Sequence, residues 1–134
     1  MDKDKRKILI VDDDTFLIDM YALKFSQGSF EVHTANSAHD ALIKLQGGLT
    51  PDVILLDIMM PEMDGFEMIQ KLKEGNIALP AIKIILSNKG QQSDIDKGLE
   101  LGASGYIVKA STTPAEVITQ VMDIIARLSP AKTA

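Results

Sequence analysis

Cysteine is absent from this 134-residue chain. Its absence excludes disulfides, thiolate catalysis and thiolate-held metals, and it fits a reducing compartment. No apolar run approaches the length of a membrane span. Lys3, Lys5, Arg6 and Lys7 precede Ile8-Leu9-Ile10-Val11, but Asp12 ends that run far too early for a signal-peptide core. Positive charge is also scarce. Against 19 Asp and Glu there are 14 Lys and Arg, a net charge of -5, so the surface repels nucleic acid and anionic membrane. The expectation is a cytoplasmic protein with no direct nucleic-acid or membrane partner.

What remains is an ordinary globular composition, with 46% hydrophobic and 25% charged residues, at a length that suits one domain. Residues 1–6 read as a solvated N-terminal arm, 7–128 as the folded domain and 129–134 as a tail. Short apolar runs at 7–11, 30–34, 52–57, 81–86 and 105–108 read as strands, and several are apolar enough for a sheet covered on both faces. Helical spacings lie between them: Phe16, Met20, Leu23; then Ala38, Ala41, Leu42, Leu45; then Phe66, Ile69, Leu72. Ile95 and Leu99 follow, and a last stripe runs from Val117 to Leu128. Ser37 and Asp64 are placed to cap helices, Gly47-Gly48 to stop one, and Thr113-Pro114-Ala115-Glu116 to form a capping box. Five βα units in succession predict an α/β fold with a parallel sheet. No internal repeat or low-complexity segment is present.

In an open parallel sheet, ligands bind beyond the carboxyl ends of the strands. Asp12, Asp13, Asp57, Ser87 and Lys109 all fall at or just past such ends. Hard carboxylate oxygens suit Mg²⁺, with Asp13 and Asp57 as direct ligands, Asp12 holding a metal-bound water, and the Met59 backbone carbonyl adding an oxygen. Lys109 offers only donors, so it is fitted to neutralise a phosphoryl oxygen or to pair with Asp57. Ser87 offers a hydroxyl to a second phosphoryl oxygen. Asp57 is the best-placed carboxylate nucleophile for aspartyl-phosphate chemistry. Asp14 reads mostly as a helix cap. His33 and His39 lie away from the acidic edge, in a strand and at a helix start.

Over nearly its whole length the chain resembles the receiver domain of two-component response regulators. The residues that carry the resemblance are Ile8 to Asp14, Pro51 to Gly65 (with Asp57-Ile58-Met59-Met60-Pro61 at its centre), Ile84-Ile85-Leu86-Ser87 and Leu101 to Lys109. The resemblance implies a flavodoxin-like, doubly wound five-stranded parallel sheet of order 2-1-3-4-5 with five helices. It implies phosphorylation of Asp57 by a sensor histidine kinase or phosphotransfer protein, with Mg²⁺ held by Asp12, Asp13 and Asp57, and Ser87 and Lys109 on the phosphoryl group. Movement of Ser87 would let Tyr106 rotate inward and reshape the face of helix four, strand five and helix five, which a downstream protein reads. The protein is then a signalling switch rather than an enzyme, acting as a monomer or a phosphorylation-dependent dimer. With no effector domain after residue 128, the chain is expected to be a stand-alone receiver or a fragment of a larger regulator.

Three positions depart from the family pattern. Asn88 stands where a small alanine is usual, Ala110 stands where a proline usually follows the lysine, and the loop from Ala110 to Pro114 is about one residue longer. A cis bond before a non-proline residue costs roughly 2.5–4 kcal/mol, so the Lys109–Ala110 bond is predicted to be trans. Alternative functions are a degenerate receiver serving as a phosphorylation-independent scaffold and a Mg²⁺-dependent aspartyl-nucleophile phosphatase. The phosphatase motif requires threonine where Phe16 stands. A flavin-binding reading fails on the three negative charges after the first strand, where a hydroxyl- and glycine-rich loop is required.

Overall fold

The structure, a computed structural model, describes residues 5–28, 30–78 and 80–128, so most of the N-terminal arm and the whole tail lie outside the described residues. Five strands alternate with five helices: β1 (Arg6–Val11), α1 (Thr15–Gln27), β2 (Phe30–Ala35), α2 (Ala38–Gln46), β3 (Val53–Leu56), α3 (Gly65–Glu74), β4 (Ile82–Ser87), α4 (Gln92–Glu100), β5 (Gly105–Val108) and α5 (Pro114–Leu128). All strand pairings are parallel and the order is β2-β1-β3-β4-β5. This is the doubly wound arrangement expected. Strand limits differ slightly from expectation. Arg6 joins β1 instead of the arm, Asp57 lies just past β3, and Ser87 is the last residue of β4.

Side chains alternate across a strand, so each central strand feeds two cores. Ile8, Ile10, Leu55 and Ile84 face α1 and α5, while Leu9, Val11, Ile54 and Ile85 face the α2 and α3 side. Buried apolar clusters cover both faces of the sheet, which accounts for the near-continuous apolar runs.

The capping residues act as their types dictate. The Asp14 carboxylate accepts from the Phe16 and Leu17 amides, and the Ser37 hydroxyl from the Asp40 amide. Asp64 and Glu67 form a capping box on α3, and Thr113 and Glu116 form one on α5. One helical stripe differs from expectation. On α1 the buried face is Ile18, Tyr21 and Phe25, whereas Phe16 is 76% exposed and Leu23 59% exposed. Both stripes have helical spacing, and the sheet selects the one carrying the larger aromatic payload; Phe25 meets Phe30 edge-on at 5.3 Å.

At the amino edge of the sheet, Asp52 ties three strands together. Its carboxylate accepts the Lys7 amide at 2.8 Å, its own amide donates to the Lys7 carbonyl at 2.8 Å, and its carbonyl accepts from Ile82 at 2.9 Å. The acids lie at the opposite, carboxyl edge.

Candidate functional site

β1 and β3 are neighbours in register, with Val11 opposite Leu56, so the residues that follow them emerge side by side. Asp12 and Asp57 are both buried, whereas Asp13 is exposed. One carboxylate oxygen from each of Asp12, Asp13 and Asp57 lies within 4.8 Å of the others. Local backbone geometry fixes the two buried carboxylates. The Asp14 amide donates to Asp12 Oδ1 at 3.0 Å, and the Met59 amide donates to Asp57 Oδ1 at 3.1 Å.

Lys109 completes the group. Its Nζ donates to Asp12 Oδ2 at 2.7 Å and to Asp57 Oδ2 at 3.0 Å, with all three side chains under 10% exposed. Burial lowers the affinity of Lys109 for its proton, but the hydrogen bonds it donates to Asp12 and Asp57, with their negative charges, outweigh that and hold its pKa above the ordinary value. Asp12 moves the other way from a usual salt-bridge partner. Burial raises its carboxyl above the ordinary value, and Lys109 only partly offsets this. Dehydration dominates, and repulsion from Asp57 adds a smaller push in the same direction, while one ammonium serves both carboxylates.

Position 110 does not disturb Lys109. Residues Lys109–Ser111 form one 3₁₀ turn, stabilised by the Thr112 hydroxyl on the Val108 carbonyl at 2.8 Å. As expected, no cis peptide occurs among the described residues. Ala110 and Asn88 are both exposed.

A receiver-domain model matches residues 8–122, described as the response regulator receiver domain. The chain belongs to that family. It is 34% identical over 122 residues to the alkaline phosphatase synthesis transcriptional regulatory protein PhoP of Bacillus subtilis, covering 91% of this chain and 49% of that protein. The chain thus spans about half the length of the curated relatives it matches. Among solved structures, the chemotaxis protein CheY4 of Vibrio cholerae superposes with a TM-score of 0.82 at 27% identity, covering 90% of this chain and 98% of that one. A CheY-like receiver domain protein of Methanospirillum hungatei gives 0.83 at 26% identity, covering 95% and 98%. The chain is therefore a receiver domain of the two-component response regulators, a signalling class. No helix among the described residues is long and apolar enough to cross a membrane.

The other residues singled out in the sequence lie as follows. Ser87 is fully buried, and its Oγ accepts the Lys89 amide at 3.3 Å. Tyr106 is half-buried, and its hydroxyl donates to the Lys89 carbonyl. The Lys89 residue is thus held from its amide side by Ser87 and from its carbonyl side by Tyr106. Burial, with help from the negative charges of Asp94 and Asp57, pushes the Tyr106 hydroxyl up to about 12. The Met59 side chain is 52% exposed beside Asp57. His33 pairs with Glu31 on the edge strand β2 at 2.7 Å.

Two glycines lie where a side chain would collide with the site or its neighbours. A Cβ on Gly65 would meet the Asp57 carbonyl oxygen at 2.4 Å and Ile58 Cα at 2.9 Å, so α3 begins directly against the backbone that carries Asp57. The second, Gly98, lies on α4 against Tyr106. The sequence signal for Gly65 is its place after the capping Asp64, where a helix would tolerate any residue. Glycine there indicates a close approach.

Proposed function

We propose that this receiver is a phosphorylation-dependent switch in which Asp57 accepts a phosphoryl group from a sensor histidine kinase or phosphotransfer protein. The observation that carries the proposal is the Lys109 ammonium held against both Asp57 and Asp12 at the carboxyl edge of the sheet. Such a cation stabilises a nucleophilic carboxylate at rest and is already in position to accept a phosphoryl oxygen.

The donor set fits a small divalent cation. Three carboxylates against one ammonium leave an excess of two negative charges, and every ligand atom is a hard oxygen. Asp12, Asp13, Asp57 and the Met59 backbone carbonyl would hold Mg²⁺, which when bound supplies charge neutralisation for the phosphoryl oxygens.

In the reaction, an Asp57 carboxylate oxygen attacks phosphorus and the P–N bond of the donor's phosphohistidine breaks, its electron pair returning to the imidazole. Lys109 turns a hydrogen bond toward one phosphoryl oxygen. The Ser87 hydroxyl donates to another, leaving the Lys89 amide to do so. Loss of that tether frees Tyr106 to move, and the face formed by α4, β5 and α5 changes for a downstream protein. Water attack on the acyl phosphate resets the domain. The chain assists both steps on itself but turns over no separate substrate.

Incubation with Mg²⁺ and acetyl phosphate, followed by intact-mass measurement, tests the proposal. The expected result is a single phosphoryl adduct in the native chain and none in Asp57→Asn. A chain that takes no adduct with any phosphodonor is a scaffold instead.

A further inference from the structure

α4 is the least anchored helix of the domain. Its N-cap residue, Gln91, makes no side-chain capping bond, and Gly98 is its one buried residue. Leu99 is 46% exposed, and Lys97 reaches sideways to lie 4.7 Å from the Phe66 ring centroid on α3. What α4 presents to the sheet is therefore a residue with no side chain.

The neighbours of Gly98 show why. A Cβ built there would lie 2.6 Å from Ile85 Cδ1 and 3.3 Å and 3.5 Å from Cδ2 and Cε2 of the Tyr106 ring. The end of an isoleucine normally turns aside at little cost. Ile85 is 0% exposed, however, so turning its Cδ1 aside means displacing other buried side chains. The Tyr106 ring, at 3.3 Å, would also have to give by a few tenths of an ångström, or the helix would have to lift. Tyr106 sits under α4 with its hydroxyl on the Lys89 carbonyl, and a backbone shift of α4 would open that seat.

We propose that Gly98 is the positioning residue for Tyr106: the missing side chain is a slot in α4 that admits the ring, and its depth sets how far inward the ring lies. This rests on the phospho-switch reading only for the use made of the ring's position. The seating itself is a property of the unphosphorylated chain. In an ordinary surface helix, alanine at this place gains stability over glycine. Here it should displace the ring instead.

The chain has no tryptophan and two tyrosines, so Tyr21→Phe leaves Tyr106 as the sole ultraviolet emitter near 300 nm. In that background, Gly98→Ala is expected to lose the protection of the tyrosine emission from acrylamide quenching. Ile85→Val, which removes Cδ1 and so the 2.6 Å encounter, is expected to restore the protection when added to Gly98→Ala. Quenching of Gly98→Ala equal to that of its parent would overturn the proposal, as would a double variant as exposed as the single. Should Gly98→Ala not fold, the double variant decides: folded with a protected tyrosine supports the slot, and unfolded refutes it. Both readouts are taken without phosphodonor, so failure of Asp57 to form an adduct counts against the switch alone.

Discussion

Lys109 donates to Asp12 at 2.7 Å across two intervening strands, since β3 and β4 separate β1 from β5 in the sheet. The reach is possible because every strand ends at one edge and Lys109 begins a turn that folds back over it. Replacing Lys109 by methionine should therefore release a repulsion between Asp12 and Asp57 as well as remove a bond. Breaking one side of a buried pair typically costs 3–5 kcal/mol, so about 3 kcal/mol is expected at this edge in metal-free buffer. Urea melts with and without Mg²⁺ check this, and Mg²⁺ should recover more stability in the variant than in the native chain.

Protons and metal should compete at Asp12. Its folded carboxyl is raised by burial, so between the ordinary value of 3.8 and that raised value the folded metal-free chain holds a proton the unfolded chain has released. Stability from this group is therefore greatest below 3.8 and declines as pH rises through the folded value. Mg²⁺ needs the carboxylate, and its affinity should fall as pH drops through the same window. Thermal melts across pH with and without Mg²⁺ measure it. A Mg²⁺-induced rise in Tm that is as large at acid pH as at neutrality would remove the metal from Asp12.

Gly65→Ala sets helix propensity against a clash. Propensity favours alanine by about 1 kcal/mol. The new Cβ, however, meets two backbone atoms, the Asp57 oxygen at 2.4 Å and Ile58 Cα at 2.9 Å, and neither can rotate away. Overpacking of this kind costs roughly 1–3 kcal/mol, so net destabilisation is expected. The acetyl phosphate adduct should also form more slowly, because the segment that gives way carries Asp57.

Ser87→Ala and Tyr106→Phe each remove one tether of the Lys89 residue. Each should lower stability by about 1 kcal/mol, the usual net value of a hydrogen bond. Because both act on one residue, a double-mutant cycle should show coupling of at least about 0.5 kcal/mol. Strict additivity would mean that the two side chains do not communicate through the β4–α4 loop.

Why the acids were legible in the sequence and other features were not comes down to how each is encoded. Asp12, Asp13 and Asp57 interrupt apolar runs, and a charge placed after a buried strand has few structural uses. The place of Lys109 is not legible from the residue that follows it: Ala110 stands where a proline is usual, and it is a 3₁₀ turn closed by Thr112 that carries Lys109 at the edge. The buried stripe of α1 is not legible, because Phe16, Met20, Leu23 and Ile18, Tyr21, Phe25 have equivalent spacing, and periodicity carries no information about which side the sheet lies on. Gly98 was silent for a related reason: glycine inside a helix reads as weakness until the atoms opposite it are known.

Asp52, at the opposite edge from the acids, bonds to Lys7 at both its amide and carboxylate and accepts from Ile82. The amino ends of β1, β3 and β4 are thus joined largely through backbone groups, whereas at the carboxyl ends β1, β3 and β5 share one side-chain link, the Lys109 ammonium. Strain introduced at Asp57 has no easy route down the strands, because their far ends cannot slide past one another. It must spread sideways, from one strand end to the next. A side-chain link can be exchanged without moving a strand, so the acidic edge can rearrange while the amino edge stays fixed.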